Sequence, residues 1–218
     1  MEKKIISVQI ALFYSKPFEG KFEDLSLKLK DILGKDNSTT IFPVPDSAPA
    51  ELPRLILTFD DFNIHCSKNR MDFFYSEKNV EDFRRKHLEK IYNIITNNFY
   101  LSVIRVGYVS NFFVKKGTIE TLKSLLKEEI SELKEITLRI NKRGVFHDYA
   151  CNNIEQVSLG SVSGKDSKGK EFSDSGIILV RDLNTAIEEG VERNLDATLL
   201  QKLLETFEGE GSKCLLLT

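Results

Sequence analysis

The sequence predicts an α+β protein: two similar β-α-β4-α halves forming one largely antiparallel curved sheet backed by helices. Three observations carry that expectation. Short segments alternate apolar and polar residues with period 2, longer segments place apolar residues at helical spacing, and the order of these segments recurs in residues 1–99 and 100–218. At 218 residues the chain is long enough for one large domain or two small ones. One continuous domain is expected, because the two halves share a sheet.

The first strand lies near the N-terminus, where Ile6, Val8, Ile10 and Leu12 alternate with Ser7, Gln9 and Ala11. That alternation, with no small-residue cleavage site after it, favours a strand over a signal peptide. A helix follows over 22–33, with Phe22, Leu25, Leu29, Ile32 and Leu33 on one stripe and Gly34 closing it. Residues 42–53 hold four of the five prolines and read as an extended surface loop. Strands over 54–59, 62–67 and 70–75 form a meander, with Asp60-Asp61 and Lys68-Asn69 as its turns. An amphipathic helix over 80–98 carries Val80, Phe83, His87, Ile91, Ile94 and Ile95 on its apolar face.

The second half begins with a strand over 101–114 and a helix over 119–133. Strands are expected near 135–141, 144–151, 154–162 and 176–182, and a last helix over 194–207 carries Leu195, Leu199, Leu200, Leu203 and Leu204. Between the final two strands, residues 160–170 are rich in Gly, Ser and Lys and read as a hairpin tip. An internal duplication fits this order. Gly20-Lys-Phe-Glu-Asp-Leu25 aligns with Gly117-Thr-Ile-Glu-Thr-Leu122, and Val8, Ile10 and Leu12 align with Ile104, Val106 and Tyr108.

Composition excludes several classes. Hydrophobic residues make up 41% and charged residues 29%, which is ordinary for a folded domain. No apolar run approaches the roughly 20 residues that span a bilayer, so no membrane partner is expected. The formal net charge of −2 gives no general pull toward nucleic acid. Three widely spaced cysteines, Cys66, Cys151 and Cys214, fit a reducing cytoplasm better than a disulfide framework.

The duplicated strand-helix-four-strand-helix order resembles the TATA-box-binding-protein-like folds. A second resemblance is to sequence. Leu52-Pro-Arg-Leu-Ile-Leu57, Arg70-Met-Asp-Phe-Phe74, Ile104-Arg-Val-Gly107 and Gly176-Ile-Ile-Leu-Val-Arg-Asp182, followed by a leucine-rich last helix, are similar to an uncharacterised, sporadically distributed bacterial family. Where that family usually carries an Arg-Tyr pair after its Arg-x-Gly strand, this chain has Tyr108-Val-Ser-Asn111. Neither resemblance implies an activity, because fold alone does not fix function.

No catalytic signature emerges, and the chain is read as a non-enzyme without cofactor or metal. Gly160-Ser-Val-Ser-Gly-Lys-Asp-Ser167 misses the phosphate-loop motif in glycine spacing and in having Asp166 after the lysine. His147 and Cys151 share one face of the expected strand while Asp148 points away, so no local triad forms. Cys-x-x-Cys pairs are absent, and no further ligands are marked by spacing, which argues against zinc.

Strand parity gives the sharper expectation. If Ile10, Leu57, Ile64, Val106 and Leu138 face the helices, then Gln9, Arg54, His65, Arg105 and Arg139 project from the other side. Three arginines on one open face can hold an anionic partner through bidentate contacts. The expected function is therefore a non-catalytic binding or assembly protein that engages a partner macromolecule, most simply a protein, through that face. Two alternatives accompany it. One is a saddle-like nucleic-acid binder using Phe13, Phe74 and Phe146 as stacking groups. The other is an enzyme whose site is assembled from distant residues, with His65, His147 and Cys151 the first candidates.

Overall fold

The computed structural model describes residues 3–75, 84–115, 118–124, 135–165, 171–188 and 193–213. Within them nine strands form one antiparallel sheet: β1 (Lys3–Tyr14), β2 (Ser38–Ile41), β3 (Leu55–Thr58), β4 (Phe62–Cys66), β5 (Arg70–Tyr75), β6 (Val103–Lys115), β7 (Thr137–Phe146), β8 (Tyr149–Lys165) and β9 (Glu171–Thr185). Their spatial order is β2-β3-β4-β5-β1-β6-β9-β8-β7, with β1 and β6 paired antiparallel at the centre. The helices are α1 (Phe22–Leu33), α2 (Glu89–Asn93), α3 (Ile119–Lys123) and α4 (Ala197–Gly211). Helix α2 continues at both ends into π-helical turns, Arg84–Leu88 and Ile94–Asn98. This is the α+β architecture that periodicity predicts.

Helix α1 occupies the predicted span. Leu25 and Leu29 are buried on its inner face, and Gly34 ends it in a left-handed conformation (φ 89°), donating its N–H to the Lys30 carbonyl at 2.9 Å. Helix α4 starts at Asp196, whose carboxylate accepts the Leu199 N–H at 2.8 Å, and buries Leu200, Leu203, Leu204 and Phe207. Of the apolar face expected over 80–98, Val80 and Phe83 lie outside the described residues. Leu88, Ile91, Ile94 and Ile95 are buried as a stripe should be, and His87 is half-buried at its margin. The later part of the helix expected over 119–133 and the tip of the 160–170 loop also lie outside the described residues.

The core is one-sided. Val8, Ile10 and Leu12 of β1, Leu55 and Leu57 of β3, Ile64 of β4, Met71 and Phe73 of β5 and Val106 of β6 pack with the inner faces of α1, α2 and α4. A second cluster joins Phe112, Val114, Val157, Ile177 and Leu179 to Leu122 of α3, with Leu138 packed against it. Both clusters lie on the sheet side that holds Ile10, and their buried area is what fixes strand register. No helix among the described residues is long and apolar enough to cross a membrane.

Two elements depart from expectation. β2 is an edge strand of four residues, Ser-Thr-Thr-Ile, mostly exposed, and so lacks the apolar alternation that marks a half-buried strand. It supplies the fourth strand of the first half. In the second half the segments expected at 135–141, 144–151 and 154–162 are instead two long strands, β7 and β8, joined by a two-residue turn at His147-Asp148. Both turn residues have positive φ (48° and 65°), as the tight hairpin turn with the twist of its strands requires. The turn has no glycine to announce it, and Asn141-Lys-Arg143 and Asn152-Asn153, which look like breaks, are paired strand residues. The described second half therefore has three strands after α3.

Candidate binding face

Cross-strand partners in an antiparallel sheet share a face, so the register builds the side away from the helices residue by residue. Gln9 pairs with Phe74 and Val109, Ala11 with Asp72 and Gly107, and Phe13 with Arg70 and Arg105. His65 pairs with Asp72, while Gly107 pairs with Asn184, which pairs in turn with Asn152. A strip that is polar except at Ala11 and Gly107 thus crosses β4, β5, β1, β6, β9 and β8 toward one end of the long strands.

Asp72 is the hub of its first half. It is buried, accepts the Gln9 Nε2 hydrogen bond at 2.9 Å, and pairs with the Arg70 Nε at 2.9 Å. Burial raises its pKa, and Arg70, Gln9 and the neighbouring His65 oppose that rise. The His65 ring lies 4.6 Å from the Phe74 ring, centroid to centroid, and burial lowers its pKa against the pull of Asp72.

Phe13 joins the two halves of the strip. The Arg105 guanidinium lies 4.6 Å over its ring and the Arg70 guanidinium 5.9 Å from it. Arg105 Nε donates to the Thr185 carbonyl at 2.9 Å, and one terminal nitrogen donates to Asn184 Oδ1 at 3.1 Å. Asn184 Oδ1 also accepts from Asn152, and its own amide donates to Asp182. Burial lowers the Arg105 pKa, with Asp182 opposing. These contacts hold the guanidinium plane while leaving other N–H groups unspent.

The structure brings together Gln9, His65 and Arg105 from the sequence-predicted set, through Asp72, Arg70 and Phe13. Arg139 lies on the same side but on β7, exposed and opposite Gln156, at the far edge of the sheet. Arg54 is a correction. It precedes β3, so strand alternation does not reach it, and it is 5% exposed. Its terminal nitrogens donate to the carbonyls of Val44 (2.7 Å) and Pro45 (3.1 Å), pinning the proline-rich loop rather than facing a partner.

Arg70 and Asp72 were legible as candidates by parity alone, since both alternate with the buried Met71 and Phe73. What parity cannot supply is the cross-strand register that puts Arg70 beside Phe13. Among the described residues, two clefts lie near the residues of this face and its neighbouring loop. One of about 720 Å³ adjoins Phe13 and Arg105 where β1, β6 and β9 end, and one of about 880 Å³ lies between the start of α1 and the proline-rich loop.

The three residues suspected of catalysis do not meet. His65 is on the open face, His147 is in the β7–β8 turn with its Nε2 2.9 Å from Thr206 Oγ1 of α4, and Cys151 is buried against the helices. Burial pushes the Cys151 thiol up to about 11 and the Cys66 thiol higher still. Phe146 also leaves the stacking set, since it packs edge-on against Phe207 of α4.

No family model matches the chain, and no curated protein matches it. Among solved structures it is similar to the rolling circle replication initiator protein from Geobacillus stearothermophilus, with 10% identity over 94% of this chain and 79% of that one. The TM-score of that overlay is 0.31, too low for it to carry an argument about fold or function.

Proposed function

We propose that this chain is a non-catalytic binding or assembly protein that engages a partner protein through the open face of its sheet. The observation that carries the reading is the Arg70–Phe13–Arg105 stack on that face, where the central strands β1 and β6 meet β5 at one end of the sheet. Aromatic and arginine side chains dominate the energetics of protein interfaces, and a guanidinium already held in one plane loses little rotamer entropy on binding. Around the stack, half-buried Phe74, Val109, Ile154 and Val180 alternate with Gln9, Asn63, Asn152 and Gln156, an apolar centre with polar groups between. Asp72 and Asp182 sit among the arginines, and carboxylates within a face oppose a phosphate backbone while complementing a partner of mixed charge.

Nucleic acid is the second reading, and it has its own observation. Arg139 and Arg143 are exposed on β7, giving a basic margin at the sheet edge on the same side as Phe13 and Phe74.

Duplication is part of the proposal. Outward from the central pair, β1-β5-β4-β3-β2 on one side is answered by β6-β9-β8-β7 on the other, which supports the likeness to TATA-box-binding-protein-like folds. Cys66 and Cys151, both free thiols, support a reducing compartment.

Photo-crosslinking tests the reading. A crosslinking residue at Val109 on the open face should give a nuclease-resistant protein adduct in native lysate, lost when Arg105→Glu is added. The same residue at Lys28, exposed on α1, should give none. Equal adducts from both positions, or indifference to Arg105→Glu, would overturn the proposal. A nuclease-sensitive adduct would transfer it to nucleic acid.

A further inference from the structure

The cleft of about 720 Å³ at the ends of β1, β6 and β9 holds two guanidinium groups, each laid over an aromatic ring. Arg105 covers Phe13 at 4.6 Å and Arg193 covers Tyr149 at 4.7 Å. Arg193 is pinned further by an ion pair from its Nη2 to Glu188, while its Nη1 is buried and has no hydrogen-bond partner among the described residues. An unmet buried donor is costly, and arginine donors held in a fixed plane match the two oxygens of a carboxylate. The side chain of Arg193 stays 13% exposed at the cleft wall. The apolar remainder of the wall includes Phe13, Ile104 and Ile187.

We propose that this cleft binds a carboxylate attached to an apolar body, with Arg193 and Arg105 as its donors. Charge selects the anion. Two arginines against one glutamate leave a single net positive charge in the lining, which suits a monoanion better than a phosphate dianion. The volume falls within the roughly 300–1,000 Å³ of small-molecule sites. Such a carboxylate can belong to a free organic acid or to the C-terminal residue of a peptide, which places the same group beside the same kind of side chain. This inference goes beyond the face-binding reading and does not need it, because the probe is small and requires no partner protein.

Calorimetric titration of the full chain with N-acetylphenylalanine, and with an acetylated peptide ending in phenylalanine, tests it. Each probe is paired with its C-terminal amide. Both acids should bind and both amides should not. A tighter peptide acid identifies a chain end as the source, and equal affinities identify a free acid. Ile187→Glu should weaken the acids by about tenfold or more, because it cancels the net positive charge at a position that is 77% exposed and outside the core. Arg193→Gln should do the same, with Ile187→Glu standing in if loss of the Tyr149 contact disturbs folding. Amides that bind as well as acids, no binding by either acid, or binding unchanged by Ile187→Glu would each overturn the assignment. A face-binding failure at Val109 would leave all of these results untouched.

Discussion

Arg181 of β9 and Glu155 of β8 form an ion pair at 2.5 Å with each side chain 1% exposed, on the helix side of the sheet. The second terminal nitrogen of Arg181 donates to the Glu210 carbonyl at 3.3 Å, in the last turn of α4, where the helix dipole favours a cation. The pair therefore ties β8, β9 and α4 together. Removing one partner leaves the other charged and dry, so Glu155→Ala should lower unfolding free energy by about 3–5 kcal/mol in urea titration. The paired change Glu155→Leu with Arg181→Met should recover most of that loss, because two apolar groups avoid the desolvation cost altogether. A double variant as unstable as the single one would show that the charges act through something other than each other.

Two glycines should respond in opposite directions to the same added methyl. At Gly176, where β9 pairs with Lys115 of β6, a Cβ would press into the Val114 carbonyl oxygen and lie 2.9 Å from the Phe113 ring. Backbone cannot yield as a side chain does, so Gly176→Ala should cost about 1–3 kcal/mol. Gly209 lies inside α4 with nothing within 4 Å of such a Cβ, so Gly209→Ala should stabilise by about 0.5–1 kcal/mol through helix propensity. Thermal midpoints of the two variants should bracket the parent.

What the sequence discloses and what it hides divide along a physical line. α1, the β3–β4–β5 meander and the inner stripe of α4 are legible because each must bury one face, and burial leaves a periodic trace in the residues. β2 is hidden because an exposed edge strand has no face to bury. The His147-Asp148 turn is hidden because it adopts positive φ without glycine, while the asparagines that look like turns sit inside long paired strands. The open face shows the same division. Gln9, His65 and Arg105 follow from parity within single strands. The Arg70–Phe13 contact depends on register between strands, and Arg54 is lost because its strand begins one residue after it.

Thiol labelling separates a binding protein from a cysteine enzyme. Cys151 is buried, its Sγ donates to the Tyr149 carbonyl at 3.4 Å, and burial pushes its pKa up to about 11. Cys66 is buried as deeply and raised further. Neither is poised as a thiolate nucleophile at neutral pH. With site-resolved mass spectrometry, iodoacetamide below pH 8 should leave both unmodified in the folded chain and modify both after denaturation. Rapid modification of Cys151 in the folded chain would reopen the enzyme alternative.

The two half-buried histidines set the direction of acid instability. Burial lowers the pKa of His65, against the opposing pull of Asp72, and burial lowers that of His87, with Lys90 and Lys86 adding to the effect. The unfolded chain protonates them near the ordinary value of about 6.5, so it takes up protons before the folded chain does. Their stabilisation is present above about pH 6.5 and is lost as pH falls through the folded values. Asp72 works in the other sense. Its folded pKa is raised, so its contribution is present below about pH 3.9 and is lost as pH rises through the folded value. The melting temperature should accordingly fall as pH drops below neutral, and His65→Gln with His87→Gln should remove most of that fall. Asp72→Asn should push the His65 pKa lower still, read from its imidazole proton shifts, because it removes a charge that favours the imidazolium. An unmoved or higher His65 pKa in that variant would mean that the carboxylate and the ring do not sense each other across β4 and β5.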